Sequence, residues 1–191
     1  MTDKGTSSTG LDRLAANAAA PSHPAKRQPI DCGHFDIRIA RDGTWYYRGS
    51  PIHRMPMVRL FSTVLRREAD GTFWLITPVE RGRITVDDAP FVAVELIQEG
   101  SGRDQSLIFR TNIDETVAAD ADHPLRVVTD SASGEPSPYI LLREGLEARL
   151  SRPVFYQLVD LGKEERVGDA TLFGVWSTGK FFPLGSLEGG G

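Results

Sequence analysis

The amino-acid sequence predicts an α+β protein made of two related β-rich lobes, each with one main helix. Short runs of β-branched and aromatic residues alternate with turn-forming Asp, Gly and Pro, which is typical of antiparallel strands. Two helical stripes each begin at a proline, and the second half of the chain repeats the element order of the first. Because 40% of the 191 residues are apolar, the chain can bury the core that such a fold needs.

Both ends of the chain are predicted to lie outside the folded lobes. Residues 1–28 are rich in Ser, Thr, Ala, Gly and Pro and hold few large apolar side chains, so burial cannot offset the entropy of ordering them. Residues 186–191 are rich in glycine. We therefore expect a disordered tail at residues 1–28 and a flexible C-terminus at residues 186–191.

The first lobe, residues 29–104, is predicted from a hairpin, a helix and further strands. Residues 36–41 and 44–48 are β-rich and flank Asp42-Gly43, a strong hairpin-turn signal. Pro56 suits the first turn of a helix, where its missing N–H is not needed. This helix carries an apolar stripe in which we expect Leu60 and Phe61 to be buried. The stripe consists of Met57, Leu60, Phe61, Val64 and Leu65, and strands follow at 72–77, 83–86 and 91–97.

The second lobe, residues 105–185, repeats this order. Strands at 125–129 and 139–143 precede a helix that begins at Pro153, and a later strand covers residues 171–176. Matching positions in the two halves lie 95 to 99 residues apart, whereas chance matches would scatter. Internal duplication is therefore favoured. The alternative is that two segments of this kind simply look alike.

The motifs that would define an enzyme are weak. The segment GVWSTGK, residues 174–180, has the spacing of a phosphate-binding P-loop, but Phe181 follows it where Ser or Thr would hold magnesium. We interpret it as a hairpin turn at Thr178-Gly179. With one cysteine, Cys32, and four histidines in the chain, no metal site is predicted. We name no catalytic residue and no cofactor.

The arginines give the better indication of a ligand site. Several of them precede or enter the two predicted helices, where free backbone N–H groups and guanidinium groups together would form an anion site. Arg54 and Arg149 share a spacing of six residues from Arg48 and Arg143. The alternative is that the arginines pair with carboxylates and hold the lobes together. The predicted ligand-binding residues are Trp45, Arg48, Arg54, Arg59, Glu80, Asn112, Arg143, Arg149, Arg152 and Trp176.

The order of motifs resembles a known family. The segments DGTWYYRGSPIHR, VRLFSTVLRREADGTFWLITPVE, VDDAPFVAVE, FRTN, REGLEARLSRPVFYQLV and GVWSTGKFFPLG look like the bacterial domain-of-unknown-function 1285 family, over about residues 30–184. The resemblance implies a small cytoplasmic protein with a duplicated core, a C-terminal half like pleckstrin-homology folds, and a ligand site between the halves. It also implies a nucleotide-like ligand and a role in signalling, but no reaction.

We therefore expect a non-enzymatic ligand-binding or sensory module in signal transduction, which binds a small anionic or nucleotide-like ligand between its lobes. Two alternatives stay open: an enzyme of unknown reaction that uses Glu80 with arginine clamps, and a protein-interaction adaptor. The net charge of −4 argues against generic nucleic-acid binding. No run approaches the roughly 18 apolar residues of a membrane span, so we expect a cytoplasmic protein.

Overall fold

The computed structural model describes residues 6–20 and 28–186. The chain divides into two compact units between Pro90 and Phe91. The described residues form mostly β-strands with three α-helices, and each unit holds one six-stranded sheet. The predicted α+β class and the two β-rich lobes are therefore confirmed. The division falls earlier than the predicted boundary after residue 104, because the strand that begins at Phe91 pairs with strands of the second unit.

Unit 1 has two helices and one six-stranded sheet, in the order β3-β2-β1-β6-β5-β4. The two central strands, β1 and β6, run parallel, and all other neighbours are antiparallel. A short meander on each side therefore completes the sheet. The elements are α1 (Thr6–Ala19), β1 (Ile30–Ile39), β2 (Trp45–Tyr47), β3 (Ser50–Pro51), α2 (Met55–Val64), β4 (Leu65–Arg67), β5 (Phe73–Ile76) and β6 (Glu80–Val86).

The core of unit 1 lies around α2. Gly43, with a φ of 83°, sits in the turn between β1 and β2, where Ile39 pairs with Trp45, as the Asp-Gly signal predicts. Trp45 is 1% exposed and stacks on Phe61 of α2 with ring centroids 6.3 Å apart. Phe61 is fully buried as expected, but Leu60 is only half-buried, because the buried face of α2 is turned toward Val58 instead.

The helix α1 contradicts the expected disorder in part of the N-terminal region. Residues 6–19 are helical, and Leu14 is 5% exposed. The helix contacts α2, and its polar side chains reach β6 and the residue before α2. A single apolar anchor with polar contacts therefore orders a segment whose composition alone indicates a tail. Residues 1–5, 21–27 and 187–191, for which disorder was also expected, lie outside the described residues.

Unit 2 has one helix and two sheets. A six-stranded sheet has the order β10-β11-β12-β7-β8-β9, and a three-stranded meander has the order β13-β14-β15. Only β12 and β7 pair in parallel. The elements are β7 (Phe91–Glu99), β8 (Ser106–Thr111), β9 (Thr116–Ala118), β10 (Leu125–Thr129), β11 (Pro136–Arg143), β12 (Leu146–Leu150), α3 (Arg152–Asp160), β13 (Lys163–Val167), β14 (Ala170–Ser177) and β15 (Lys180–Ser186).

The segment with P-loop spacing is a hairpin. Thr178 and Gly179 have φ angles of 48° and 74° and form the turn between β14 and β15, where Ser177 pairs with Lys180. Ser177 is fully buried, accepts a hydrogen bond from the Leu107 N–H at 3.0 Å and donates one to the Ala119 carbonyl at 2.7 Å. The turn interpretation of this motif is confirmed.

The two units share one order of elements. In unit 1, a β1-β2-β3 meander is followed by α2 and a β4-β5-β6 meander, whose last strand lies beside β1. In unit 2, β10-β11-β12 is followed by α3 and β13-β14-β15, and β15 contacts β10. The strands β7, β8 and β9 precede this series as an addition. An internal duplication predicts such a correspondence.

Candidate functional site

A pocket of about 210 Å³ lies in unit 1, at one end of the six-stranded sheet. The helix α1 forms one wall, and β1, the β2–β3 turn and the start of β6 form the others. It combines aromatic rings with charges of both signs. The lining residues are Gly10, Arg13, Leu14, His34, Phe35, Asp36, Tyr47, Arg48 and Glu80.

Glu80 is the buried charged group of this pocket, with a side chain 8% exposed. Asn17 of α1 donates its amide N–H to Glu80 Oε1 at 2.7 Å, and the Arg13 guanidinium lies 3.6 Å from Oε2. Thr77 fixes the backbone at this place, since its hydroxyl accepts from the Glu80 N–H at 3.0 Å and donates to the Glu80 carbonyl at 2.9 Å. A buried carboxylate needs such partners, and α1 supplies two of them.

Cys32 is the third group at the Glu80 carboxylate. Its thiol lies 3.6 Å from Glu80 Oε2 and donates to it. Desolvation, the hydrogen bond to Glu80 and the charge of that carboxylate raise the pKa of the Cys32 thiol. The thiol therefore stays protonated at neutral pH and serves as a hydrogen-bond donor rather than as a nucleophile.

Arg48 occupies a strained backbone position in the wall that the β2–β3 turn forms. Its φ is 49° and that of Gly49 is 76°, so the pair forms the tight turn between β2 and β3. Asn and Gly favour such a left-handed position, and an arginine there is uncommon. The guanidinium carbon lies 5.3 Å from the centre of the Tyr47 ring, and Nε lies 3.9 Å from Asp36 Oδ2. Strain of this kind is concentrated at functional sites.

A second, smaller pocket of about 140 Å³ lies in unit 2 beside Trp176. The Arg103 guanidinium carbon is 4.6 Å from the centre of the Trp176 ring, and the indole N–H donates to Glu165 Oε2 at 3.1 Å. Arg103 also pairs with Glu165 at 3.0 Å. The ring predicted to stack on a ligand is therefore engaged by its own neighbours.

Of the predicted site residues in unit 1, the pocket brings together Arg48 and Glu80 only. Trp45 is 1% exposed and belongs to the core on Phe61, so its prediction as a ligand-binding residue is wrong. Arg54 precedes α2 and pairs with Asp12 at 3.0 Å. Arg59 is exposed on α2 and does not line the pocket.

The predicted site residues in unit 2 have structural partners. Asn112 accepts a hydrogen bond from the Val92 N–H at 3.0 Å. Arg143 pairs with Glu115 and lies over the Phe91 ring. Arg152, the first residue of α3, pairs with Glu135 at 2.8 Å, while Arg149 lies within β12 and Trp176 lines the smaller pocket.

Arg54 and Arg149 do not occupy equivalent places. Tyr47 pairs with Ser50 across the β2–β3 turn, whereas Arg143 pairs with Leu146 across the β11–β12 turn. Arg143 thus matches Tyr47 rather than Arg48. The equal spacing of Arg54 and Arg149 therefore arises from a shift of one residue between the two strand-turn-strand segments, and such a shift moves a side chain to the other face of a strand. The two arginines therefore do not form a matched pair of sites.

Sequence reasoning missed the α1 residues Arg13, Leu14 and Asn17. A weak signal for this helix exists, because Leu11, Leu14, Ala15 and Ala18 have the i, i+3, i+4, i+7 spacing of an apolar stripe. Three of these four positions hold small or half-buried side chains, so the stripe is easily overlooked. Tyr47 also lines the pocket; the sequence suggests its ring for stacking on a ligand, but it is not among the predicted ligand-binding residues.

Within residues 6–20 and 28–186, no three His, Cys, Asp or Glu side chains come together as ligands for a metal ion. Among the same residues, no helix has the length and apolar character of a membrane-crossing segment.

Comparisons with known proteins agree on one family description. Residues 24–89 match the N-terminal domain model of the domain of unknown function DUF1285, and residues 90–184 match its C-terminal domain model. A DUF1285 family protein from Silicibacter pomeroyi DSS-3 shares 48% identity, with a TM-score of 0.79 over 92% of this chain and 96% of that chain. Another, from Shewanella baltica OS155, shares 27% identity, with a TM-score of 0.51 over 66% and 91%. No curated protein matches.

Proposed function

The chain belongs to the DUF1285 family, and from this premise we propose that it is a non-enzymatic, ligand-binding sensory module whose site is the α1 pocket of unit 1. The proposal includes a cytoplasmic location and a role in signal transduction. It also keeps the likeness of the C-terminal half to pleckstrin-homology folds as a prediction. Two arginines, Arg48 and Arg13, line this pocket.

The ligand class follows from the donors that line the pocket. Arg48 is half-exposed, and its 3.9 Å contact with Asp36 is loose, so its planar fork of N–H groups can turn to a carboxylate or phosphate. Arg13 is 73% exposed and lines the same pocket from α1. Two guanidinium groups from different elements can hold one anionic group between them. We therefore propose a ligand with a small anionic group.

The size of the pocket narrows this class. A volume of about 210 Å³ is below the roughly 300–1,000 Å³ of pockets that enclose drug-sized molecules. A small phosphorylated or carboxylated metabolite suits this space better than a whole nucleotide. Tyr47 and Phe35 would cover the apolar part of such a ligand.

The strained position of Arg48 carries the proposal. A left-handed backbone costs an ordinary residue about 1–2 kcal/mol, whereas Gly or Asn would fit the turn with little strain. A guanidinium held over the Tyr47 ring at the mouth of a pocket is a reason for that strain. Glu80 supports binding rather than catalysis, because both carboxylate oxygens already accept hydrogen bonds.

Thermal unfolding with a panel of small phosphates and carboxylates tests this function. We expect at least one of them to raise the Tm of the wild-type protein, because a ligand that binds only the folded state stabilises it. Arg48→Asn suits the turn and is expected to keep the Tm of the free protein, yet to abolish the shift caused by the ligand.

Arg152→Gln is the matched control, since it removes another exposed arginine from the start of α3 in unit 2. This variant should respond to the ligand as the wild type does. The proposal fails if no anion in the panel shifts the Tm, or if Arg48→Asn responds as strongly as the wild type.

A further inference from the structure

We propose that the groove beneath α1 is a helix-binding site, in which α1 is the intramolecular occupant and an amphipathic helix of a partner protein can replace it. The replacing helix would carry adjacent Arg and Leu residues and an Asn or Gln three positions later. This proposal goes beyond the ligand pocket, because it concerns a protein partner and the contacts of α1.

The contacts of α1 define what the groove accepts. Leu14, at 5% exposed, is its buried apolar anchor. Asn17 donates an N–H to the Glu80 carboxylate at 2.7 Å, and Arg13 forms an ion pair with the same carboxylate at 3.6 Å. These three side chains have the spacing i, i+1 and i+4, so they lie on neighbouring faces of one helix. Apolar burial with a charge-assisted hydrogen bond is a common way to recognise a helix in a groove.

Gly10 lies one turn before the anchor and close to Tyr47. A Cβ built on Gly10 would lie 2.8 Å from Tyr47 Oη, the far end of that side chain. A helix with a larger residue at this place would therefore have to displace the Tyr47 hydroxyl. The glycine lets α1 pack here without that displacement.

The helix α1 is held loosely enough to be exchanged. It has no acidic residue in its first turn and no basic residue in its last turn, so neither end is stabilised by charge. Gly10 lowers its helix propensity, and an isolated helix of 14 residues is marginal in water. Two ion pairs connect α1 to the rest of unit 1, Asp12 with Arg54 and Arg13 with Glu80. The arginine side chains are 69% and 73% exposed, and ion pairs of such exposed groups contribute little to stability.

The rest of the groove does not depend on α1. Glu80 and Tyr47 belong to strands of the six-stranded sheet, which contains no part of α1. When α1 leaves, the Glu80 carboxylate loses the Asn17 amide and the Arg13 guanidinium. Glu80 is 8% exposed when α1 covers it, so a helix that covers it again must bring donors such as an amide and a guanidinium to the same place. This charge complementarity argues for a basic, amide-bearing helix as the occupant.

A labelled peptide with the sequence of residues 6–20 tests this proposal by fluorescence anisotropy. The receptor is the full chain with Leu14→Asp, which weakens the intramolecular helix and leaves the groove unchanged. We expect this receptor to bind the peptide, and the wild-type chain to bind it roughly tenfold more weakly, because α1 competes within the same molecule. A full chain with Asn17→Asp, in which the introduced carboxylate repels Glu80, is a second receptor that keeps the buried leucine.

A charge exchange shows whether the peptide occupies the site of α1. A peptide with Asn17→Asp should lose binding to either receptor through repulsion by Glu80. Binding should return when the Leu14→Asp chain also carries Glu80→Gln, since a Gln amide donates to the introduced carboxylate of the peptide. A peptide with Leu14→Asp is the control that should not bind.

Three results would overturn the proposal. The first is that both receptors fold, as judged by circular dichroism and Tm, yet neither binds the peptide. The second is that the Asn17→Asp peptide binds as well as the natural one. The third is a concentration-dependent dimer of the wild-type chain that Leu14→Asp abolishes, since the occupant would then be α1 of a second copy. The anion panel uses other probes, so its outcome is independent of this one.

Discussion

The ring of Phe35 on β1 lies so close to Gly82 on β6 that a Cβ added to Gly82 would be 2.6 Å from the ring. Phe35 lines the α1 pocket, and Gly82 follows Glu80 by two residues on the same strand. A glycine at this point of the central parallel pair therefore makes room for an aromatic wall of the pocket.

Gly82→Ala tests this relationship. The added methyl group would force the Phe35 ring to move, and such overpacking is expected to lower the free energy of unfolding by about 1–3 kcal/mol. Urea unfolding measures the loss. Gly185→Ala in β15 is the control, because no atom lies within 4 Å of its added Cβ. Equal effects of the two substitutions would contradict the close contact.

Leu60 and Phe61 of α2 are expected to differ in their contribution to stability. Phe61 is fully buried, so Phe61→Ala should cost about 3–5 kcal/mol, while Leu60→Ala at a half-buried position should cost about 1 kcal/mol. Chemical denaturation of both variants measures the difference. A loss for Leu60→Ala as large as that for Phe61→Ala would mean that α2 is rotated from the orientation described above.

Asn17→Ala removes the amide donor to Glu80. The carboxylate then keeps only Cys32 and the weaker Arg13 contact, and we expect a loss of about 1–3 kcal/mol together with faster hydrogen exchange in residues 10–20. Ala16→Ser, on the exposed face of α1, should leave exchange in this region nearly as it is. Unchanged exchange in Asn17→Ala would show that α1 does not depend on this bond.

Asp70 is expected to make stability depend on pH. Its carboxylate accepts hydrogen bonds from the Thr72 hydroxyl at 2.6 Å and the Thr72 N–H at 2.9 Å, and these bonds lower the pKa of Asp70. The stabilisation is present above the unfolded-state pKa of about 3.9 and is lost as the pH falls through the lower folded-state value. The stability difference between wild type and Asp70→Asn should therefore narrow below about pH 4. A constant difference between pH 2 and 7 would contradict this.

Local chemistry made much of the fold predictable. Asp42-Gly43, Pro56 and Thr178-Gly179 each act within a few residues, and each marks a turn or helix start where the structure has one. The sequence did not predict α1, because its order depends on contacts with Glu80, which lies 63 residues from Asn17. Nor did it predict the boundary at Pro90, which follows from strand pairing rather than from composition.

The candidate site was predictable only in part. Arg48 and Glu80 are among the predicted ligand-binding residues, and the structure places both at one pocket. Arg143 and Arg149 were misaligned with their counterparts, because Arg-Gly and Arg-Glu-Gly turns differ by one residue and only strand register distinguishes them. Trp45 was assigned to the ligand since exposure cannot be read from residue type, and its ring packs on Phe61 instead.

The two parallel strand pairs also determine the order in which the chain can assemble. Ile30 meets Glu80 in unit 1, and Phe91 meets Ala148 in unit 2, so these partners lie 50 and 57 positions apart in the chain. Such distant pairings set the pace of folding. A ribosome adds the roughly 100 residues of unit 2 in about 5–20 s, at about 5–20 residues per second. The nascent chain can therefore close the β1–β6 pair before β12 has been made, and assembly proceeds from the N-terminal sheet onward.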